Sequence, residues 1–269
     1  MTRPTVLILG GSGEARELAR RLAAAGVPGL RVVSSLAGRV SRPALPEGEV
    51  RVGGFGGVGG LAEWIAENSG SVVVDATHPF AATMSAHAVA ACAQVPAPLL
   101  RVIRPPWTAG AGDTWHEVGS EAEAAALLPS AGRRAFVTTG RQGLGAYAGV
   151  DGMSLLIRCV DPPAAETALP AGAEVVLARG PYDAAAELAL MQEHGIDVLV
   201  TKNSGGALTA GKLTAARQLG IPVIMIRRPA PGEAALCCSS AQAAAQMVLR
   251  HWVLRHGMLR HGHGTGPPR

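Results

Sequence analysis

Four times in this chain a short apolar, often β-branched run ends abruptly in a polar or glycine-bearing signature. Val72-Val73-Val74 leads into Asp75-Ala76-Thr77-His78-Pro79-Phe80, and Ala135-Phe136-Val137 into Thr138-Thr139-Gly140-Arg141. Val175-Val176-Leu177-Ala178 leads into Arg179-Gly180-Pro181-Tyr182-Asp183, and Val198-Leu199-Val200 into Thr201-Lys202-Asn203-Ser204-Gly205-Gly206. A turn needs only Gly, Pro, Asn or Asp. Arg, Lys, His and Thr in the same places call for a chemical reason. In open α/β sheets ligands lie outside the carboxyl ends of the parallel strands. The pattern predicts an enzyme with one crowded polar cleft.

Between these runs the spacing is helical. Strands are predicted at Val6–Leu9, Arg31–Ser34, Val50–Val52, Val72–Asp75 and Leu99–Ile103, with helices at Glu14–Ala25, Leu61–Asn68 and Phe80–Ala93. Strands alternating with helices imply right-handed βαβ units and a mostly parallel sheet. Arg104-Pro105-Pro106-Trp107 breaks the rhythm, which resumes with five strands at Ala135–Thr138, Leu155–Cys159, Val175–Ala178, Val198–Thr201 and Val223–Ile226. Helices fall at Glu121–Leu128, Asp183–His194 and Leu213–Leu219, with a closing one at Ala241–Leu254. The expected fold is α/β: a Rossmann-like domain over residues 1–107, a flavodoxin-like domain over 108–256, and a tail over 257–269. Two such lobes leave an interlobe cleft, a preferred place for ligands.

Composition removes several classes. Aromatics are only 3% of the 269 residues, too few for the stacking platforms of single-stranded nucleic-acid binding. A net charge of +4, partly in the tail, gives little support to a DNA or membrane partner. The four histidines from His251 onward read as a frayed end, with metal capture as the alternative. Cys92, Cys159, Cys237 and Cys238 form neither a disulfide framework nor a zinc pattern, so no metal is expected and a reducing cytoplasm is the natural compartment. No apolar stretch approaches the ~20 residues of a membrane span. Nothing requires a second chain, so a monomer suffices and the oligomeric state stays open.

Gly11-Ser12-Gly13-Glu14 follows the first strand and opens the first helix, where glycines let an anion approach backbone N–H groups. It is equally a structural turn, with Glu14 complementing the helix dipole. The second strand ends in Ser34-Ser35-Leu36-Ala37-Gly38-Arg39 without the acidic residue that NAD-binding units place there. A nicotinamide cofactor bound in the usual way would therefore be NADP rather than NAD. In the Asp75 stretch, Thr77 suits an N-cap and Pro79 an early helical position, which leaves His78 and Phe80 unexplained by structure alone. Arg104, Arg141, Arg179 and Lys202 lie near strand ends and would form a cationic rim for a polyanion. Thr139-Gly140-Arg141 and Thr201-Lys202-Asn203-Ser204-Gly205 read as oxyanion cradles. No P-loop, GxSxG elbow or HExxH motif occurs, so chemistry carried by a bound organic cofactor is favoured.

Taken in order, Gly10–Arg16, Ser35–Arg39, Asp75–Ala81, Arg101–Trp107, Thr138–Arg141, Arg179–Tyr182 and Thr201–Gly206 resemble the precorrin-6A reductase family of corrin biosynthesis. The resemblance implies a two-lobed enzyme that transfers hydride from NADPH to the precorrin-6A macrocycle, giving precorrin-6B. Under it, Thr139, Gly140, Arg141, Arg179, Gly180, Thr201, Lys202, Asn203, Ser204 and Gly205 would bind the cofactor. Gly11, Ser12, Gly13, Glu14, Ser35, Arg39, Thr77, His78, Pro79, Phe80 and Arg104 would contact the substrate, whose many carboxylates suit a cationic rim. The two assignments are interchangeable, since each cradle accepts any oxyanion. His78, Tyr182 or bound water would deliver the proton. The alternatives are an NADH-dependent cobalt-precorrin-6A reductase, a non-catalytic nucleotide- or tetrapyrrole-binding protein, and a corrin-pathway methyltransferase.

Overall fold

The computed structural model describes residues 4–38, 40–41, 43–68, 72–230 and 236–256. The chain opens β1 (Thr5–Leu9), α1 (Gly13–Ala24), β2 (Arg31–Leu36), β3 (Glu49–Val52), α2 (Val58–Glu67), β4 (Val72–Asp75), α3 (Ala82–Gln94), β5 (Leu99–Val102). It continues with β6 (Trp115–Val118), α4 (Glu121–Ala131), β7 (Arg134–Val137), a 3-10 turn (Leu144–Tyr147), β8 (Ser154–Cys159) and β9 (Glu174–Leu177). Then come α5 (Ala184–Glu193), β10 (Val198–Lys202), α6 (Gly211–Leu219), β11 (Val223–Ile226), β12 (Leu236–Cys238) and α7 (Ala241–His256). Two compact units result, one of Met1–Gly38, Ala44–Ile103 and Gly232–Arg269, the other of Arg39–Pro43 and Arg104–Pro231.

The first lobe is built on a parallel sheet in the order β12-β5-β4-β1-β2-β3. Its central strands are apolar on both faces because helices cover both. Val6, Ile8, Val72 and Val74 meet α1 and α7, while Leu7, Leu9, Val33 and Val73 meet α2 and α3. α1 starts where it does because the Ser12 side chain accepts from Ala15 N–H, with Glu14 in the first turn and Arg21 in the last. Leu18 and Leu22, one turn apart, are buried, and cutting either to Ala would cost about 2–5 kcal/mol.

The closing helix was expected in the second lobe, and the structure corrects this. α7 lays Ala241, Ala244, Ala245 and Val248 against α1, and β12 pairs with β5 in the register Leu236↔Leu100. Alanines every three or four residues allow two helices to approach closely wherever such a face is offered, and no local pattern says which lobe offers it.

The second sheet is also parallel, ordered β6-β11-β10-β7-β8-β9. Read from its own first inner strand, β7, it repeats the Rossmann order of the first lobe. The flavodoxin order expected for residues 108–256 is thereby replaced, and a sixth strand is added. That strand, Trp115-His116-Glu117-Val118, sits at the sheet edge with His116 and Glu117 exposed, so it lacks the apolar run that betrays inner strands. Under α5 and α6 lies a core of Phe136, Leu156, Met191, Leu199, Leu213 and Met225. The expected tail over 257–269 lies outside the described residues, although α7 carries helix as far as His256. Among the described residues no helix is long and apolar enough to cross a membrane.

Candidate functional site

In the second lobe the chain moves from β7 to β8 on one side and places β10 on the other. The loops after β7 and β10 diverge at that reversal, which is where doubly wound sheets hold ligands. Four of the residues expected at a cofactor site, Thr139, Gly140, Thr201 and Lys202, are set there by adjacent strands. Thr138 anchors the first loop, its N–H (2.9 Å) and hydroxyl (3.0 Å) both donating to Val200 O. Thr139 Oγ1 is buried without a hydrogen-bond partner, and so is the hydroxyl of its neighbour Tyr147. Each orphan costs about 1–3 kcal/mol unless water or a ligand answers it. Burial also pushes the Tyr147 phenol up from its ordinary pKa. Gly140 holds φ +78° with open space where a side chain would begin, so its backbone is approachable.

Lys202 bridges the two loops, donating to Thr139 O (3.1 Å) and pairing with Glu121 Oε1 (2.8 Å) at the start of α4. The neighbouring cradle residues are largely committed to scaffolding. Asn203 exchanges two hydrogen bonds with the Trp107 backbone, at 2.8 and 2.9 Å. Ser204 O accepts from Arg104 Nε (2.6 Å) and Arg228 Nη2 (2.8 Å), and Trp107 Nε1 donates to Gly206 O (2.9 Å). Arg228 also donates to Asn203 O and Arg104 O, both at 2.7 Å. Gly205, at φ +68°, leaves no room for a methyl, which would strike Pro105 O and the Arg228 guanidinium. Arg104 thus supports the β10 loop, a duty its sequence position did not reveal. Arg228 and Glu121 were missed altogether, since a cation and an acid at ordinary spacing carry no motif.

At the end of β9, Tyr182 OH donates to Ala178 O (2.8 Å) and its ring lies 3.6 Å from the Arg158 guanidinium. Burial raises its pKa, so the phenol is a reluctant acid. Gly180 packs against that ring, while Arg179 and Arg141 are exposed. Arg158 forms a buried bidentate pair with Glu187 of α5. Beside them Lys212, 4% exposed, has its pKa lowered to about 7, first by burial and then by the Arg158 charge, with Glu187 opposing.

The first lobe has its own reversal between β1 and β4. Gly11 is open there, at φ +106°, next to Gly13 and Glu14 at the start of α1. Ser12, however, is doubly used: its hydroxyl caps α1 and donates to Ala76 O (2.6 Å). Thr77 is not the cap expected of it, because α3 begins only at Ala82; its N–H (3.1 Å) and hydroxyl (2.7 Å) donate to Asp75 Oδ1 instead. Asp75 Oδ2 accepts from Ser85 Oγ (2.6 Å) and Arg101 Nε (3.1 Å). Pro79 therefore lies in the turn before the helix rather than within it. His78 is exposed; its Nδ1 accepts from Phe80 N–H (3.3 Å), and the two rings are 5.8 Å apart. Ser35 Oγ accepts from Arg51 Nη1 (3.3 Å), which also holds Gly53 O (2.6 Å). Arg51 so pins a glycine loop whose composition had implied mobility. Arg39 lies outside the described residues.

Two Rossmann-ordered lobes, with open glycines and an unanswered hydroxyl at a switch point, define a protein of the dinucleotide-binding α/β class. The family model for precorrin-6x reductase CbiJ/CobK matches residues 5–249. A precorrin-6A reductase of Rhodococcus erythropolis is 54% identical over 229 residues, 85% of this chain and 90% of its own. One of Mycobacterium tuberculosis is 49% identical over 249 residues, 92% and 98% of the two chains. A solved structure described as CobK precorrin-6A reductase superposes with a TM-score of 0.84 at 43% identity, over 94% of this chain and 97% of that one. The chain belongs to the precorrin-6x reductase CbiJ/CobK family.

Proposed function

We propose that this chain is an NADPH-dependent precorrin-6A reductase of cobalamin biosynthesis, with its dinucleotide phosphates and ribose held by the second lobe. The buried Thr139 hydroxyl without a partner, next to the open Gly140, carries this reading. A helix N-terminus does not follow β7, which leads into a 3-10 turn, so the donors come from the loop itself and from Lys202. When bound, NADPH supplies the hydride that reduces the macrocycle to precorrin-6B.

The chain's own contribution is alignment, exclusion of water and delivery of a proton. Lys202, fixed by Glu121 and Thr139 O, offers a positioned charge rather than a free one. In the first lobe Gly11, Gly13, Glu14 and Phe80 remain for the substrate, while Ser12, Ser35 and Thr77 mainly shape those loops. His78 is the better proton donor of the two considered. Its Nδ1 is an acceptor, which puts the neutral imidazole's proton on Nε2, whereas the Tyr182 hydroxyl is spent on Ala178 O.

The test is to follow NADPH oxidation, by nicotinamide absorbance, on adding precorrin-6A. Consumption with formation of precorrin-6B is expected. Binding of both molecules without turnover would mark a non-catalytic carrier, and turnover with NADH alone on the cobalt-containing substrate would reassign the chain to the anaerobic route.

A further inference from the structure

The second lobe contains an acid in a telling place. In an NAD-binding Rossmann unit, a carboxylate just past the second strand, about 20 residues on from the glycine turn, accepts from the ribose 2′-hydroxyl. Here β8 is the second strand counted from β7, and Asp161 follows its end, twenty residues beyond Arg141. Both carboxylate oxygens are already taken. Oδ2 accepts from Ser41 N–H (2.9 Å) and Oδ1 from Ser41 Oγ (2.9 Å). Ser41 belongs to the short segment Arg39–Pro43 that is part of the second unit.

We propose that Ser41 and Asp161 set the cofactor preference of this lobe: Ser41 occupies the carboxylate that would otherwise hold a ribose hydroxyl, leaving Arg141 and Arg179 to receive a 2′-phosphate. This rests on the reading that the second lobe binds the dinucleotide. The two arginines lie close enough to act on the same carboxyl: the Ser41 bonds chiefly, and then the Arg141 and Arg179 charges, hold Asp161 below its ordinary pKa. Two cations around one engaged carboxylate leave a net positive field, and guanidinium forks match phosphate oxygens. A ribose hydroxyl, by contrast, would have to displace Ser41.

Calorimetry on the full chain with 2′-phospho-ADP-ribose and ADP-ribose reads the preference without turnover. Ser41→Ala frees one carboxylate oxygen and should improve ADP-ribose relative to the phosphorylated ligand by about tenfold. Asp161→Asn removes the charge and should move the ratio the opposite way. Both side chains are at the surface or half-exposed, so folding is not at stake. An unchanged ratio in both variants overturns the proposal. Gly140→Asp separates the two levels, because it puts a negative charge into open space beside the β7 loop. If Gly140→Asp abolishes binding of both ligands while the ratio ignores Ser41 and Asp161, this inference alone fails. If Gly140→Asp also leaves binding intact, the dinucleotide does not sit in the second lobe.

Discussion

The two lobes share a strand order but use their switch points differently. Around β1 and β4 the buried polar groups satisfy one another: Ser12 caps a helix and reaches Ala76, while Asp75 gathers Thr77, Ser85 and Arg101. Around β7 and β10 the backbone is equally well anchored, yet Thr139 and Tyr147 keep hydroxyls that no described residue answers. Identical topology therefore supplies two candidate places, and hydrogen-bond bookkeeping tells them apart. A saturated network makes rigid loops for shape recognition; an unsaturated one keeps donors for something that arrives.

The harshest way to break this contrast is at Asp75, 3% exposed and paired with Arg101 at 3.1 Å. Asp75→Ala strands a largely buried guanidinium and three other donors, and should cost about 3–5 kcal/mol. Urea unfolding measures it. ADP-ribose affinity in the protein that still folds should stay near that of the parent, because the loss falls on the first lobe. A stable Asp75→Ala protein with poor ADP-ribose binding would invert the roles assigned to the lobes.

Lys212 gives the second effect, and its sign is fixed by the direction of its shift. Its folded pKa of about 7 lies below the ordinary 10.5, so between those values the unfolded chain binds more protons than the folded one. Stability should then rise with pH across that window, by at most about 1.4 kcal/mol per unit. Lys212→Met keeps the stem and removes the charge. The variant should be more stable near neutrality and lose the slope; a parent protein whose stability is flat from pH 7 to 10 would contradict the burial of this ammonium.

How much of this could be read beforehand follows from where the information sits. Inner strands such as Val72-Val73-Val74 and Val198-Leu199-Val200 announce themselves, because burial on both faces demands uninterrupted apolar residues. Edge strands β6 and β12 do not, being short and partly exposed. The order of strands was legible only as a class, since periodicity counts elements without placing them. Glycine and threonine at strand ends marked the candidate loops correctly in position, yet their partners were invisible. Glu121 lies 81 residues from Lys202, and Arg158 is 29 from Glu187, separations that leave no spacing to recognise. Hence Ser12, Asn203 and Arg104 were noted for chemistry when their printed bonds are to the scaffold.

Lys202 tests the second lobe more gently. Lys202→Ala should weaken NADPH by about 1–3 kcal/mol if the ammonium meets a desolvated oxyanion. The same substitution leaves Glu121 facing the site, so part of the loss would be repulsion rather than a missing contact. Glu121→Gln in the Lys202→Ala background isolates that part, as in any double-mutant cycle. Full recovery on adding Glu121→Gln would mean that Lys202 merely neutralises an acid, and would remove it from the cofactor site.

The smallest effect is the most discriminating. Thr139→Val keeps shape and deletes one hydroxyl that now has no partner. Removing an unsatisfied buried donor should leave stability unchanged or slightly raised, because nothing favourable is lost from the folded chain. Binding of ADP-ribose should nonetheless weaken about threefold to tenfold, the worth of one hydrogen bond. Only a hydroxyl held in reserve for a ligand moves the two measurements apart. If Thr139→Val lowers the melting temperature and leaves affinity alone, the group was serving the fold through a bridging water, and the asymmetry between the lobes disappears.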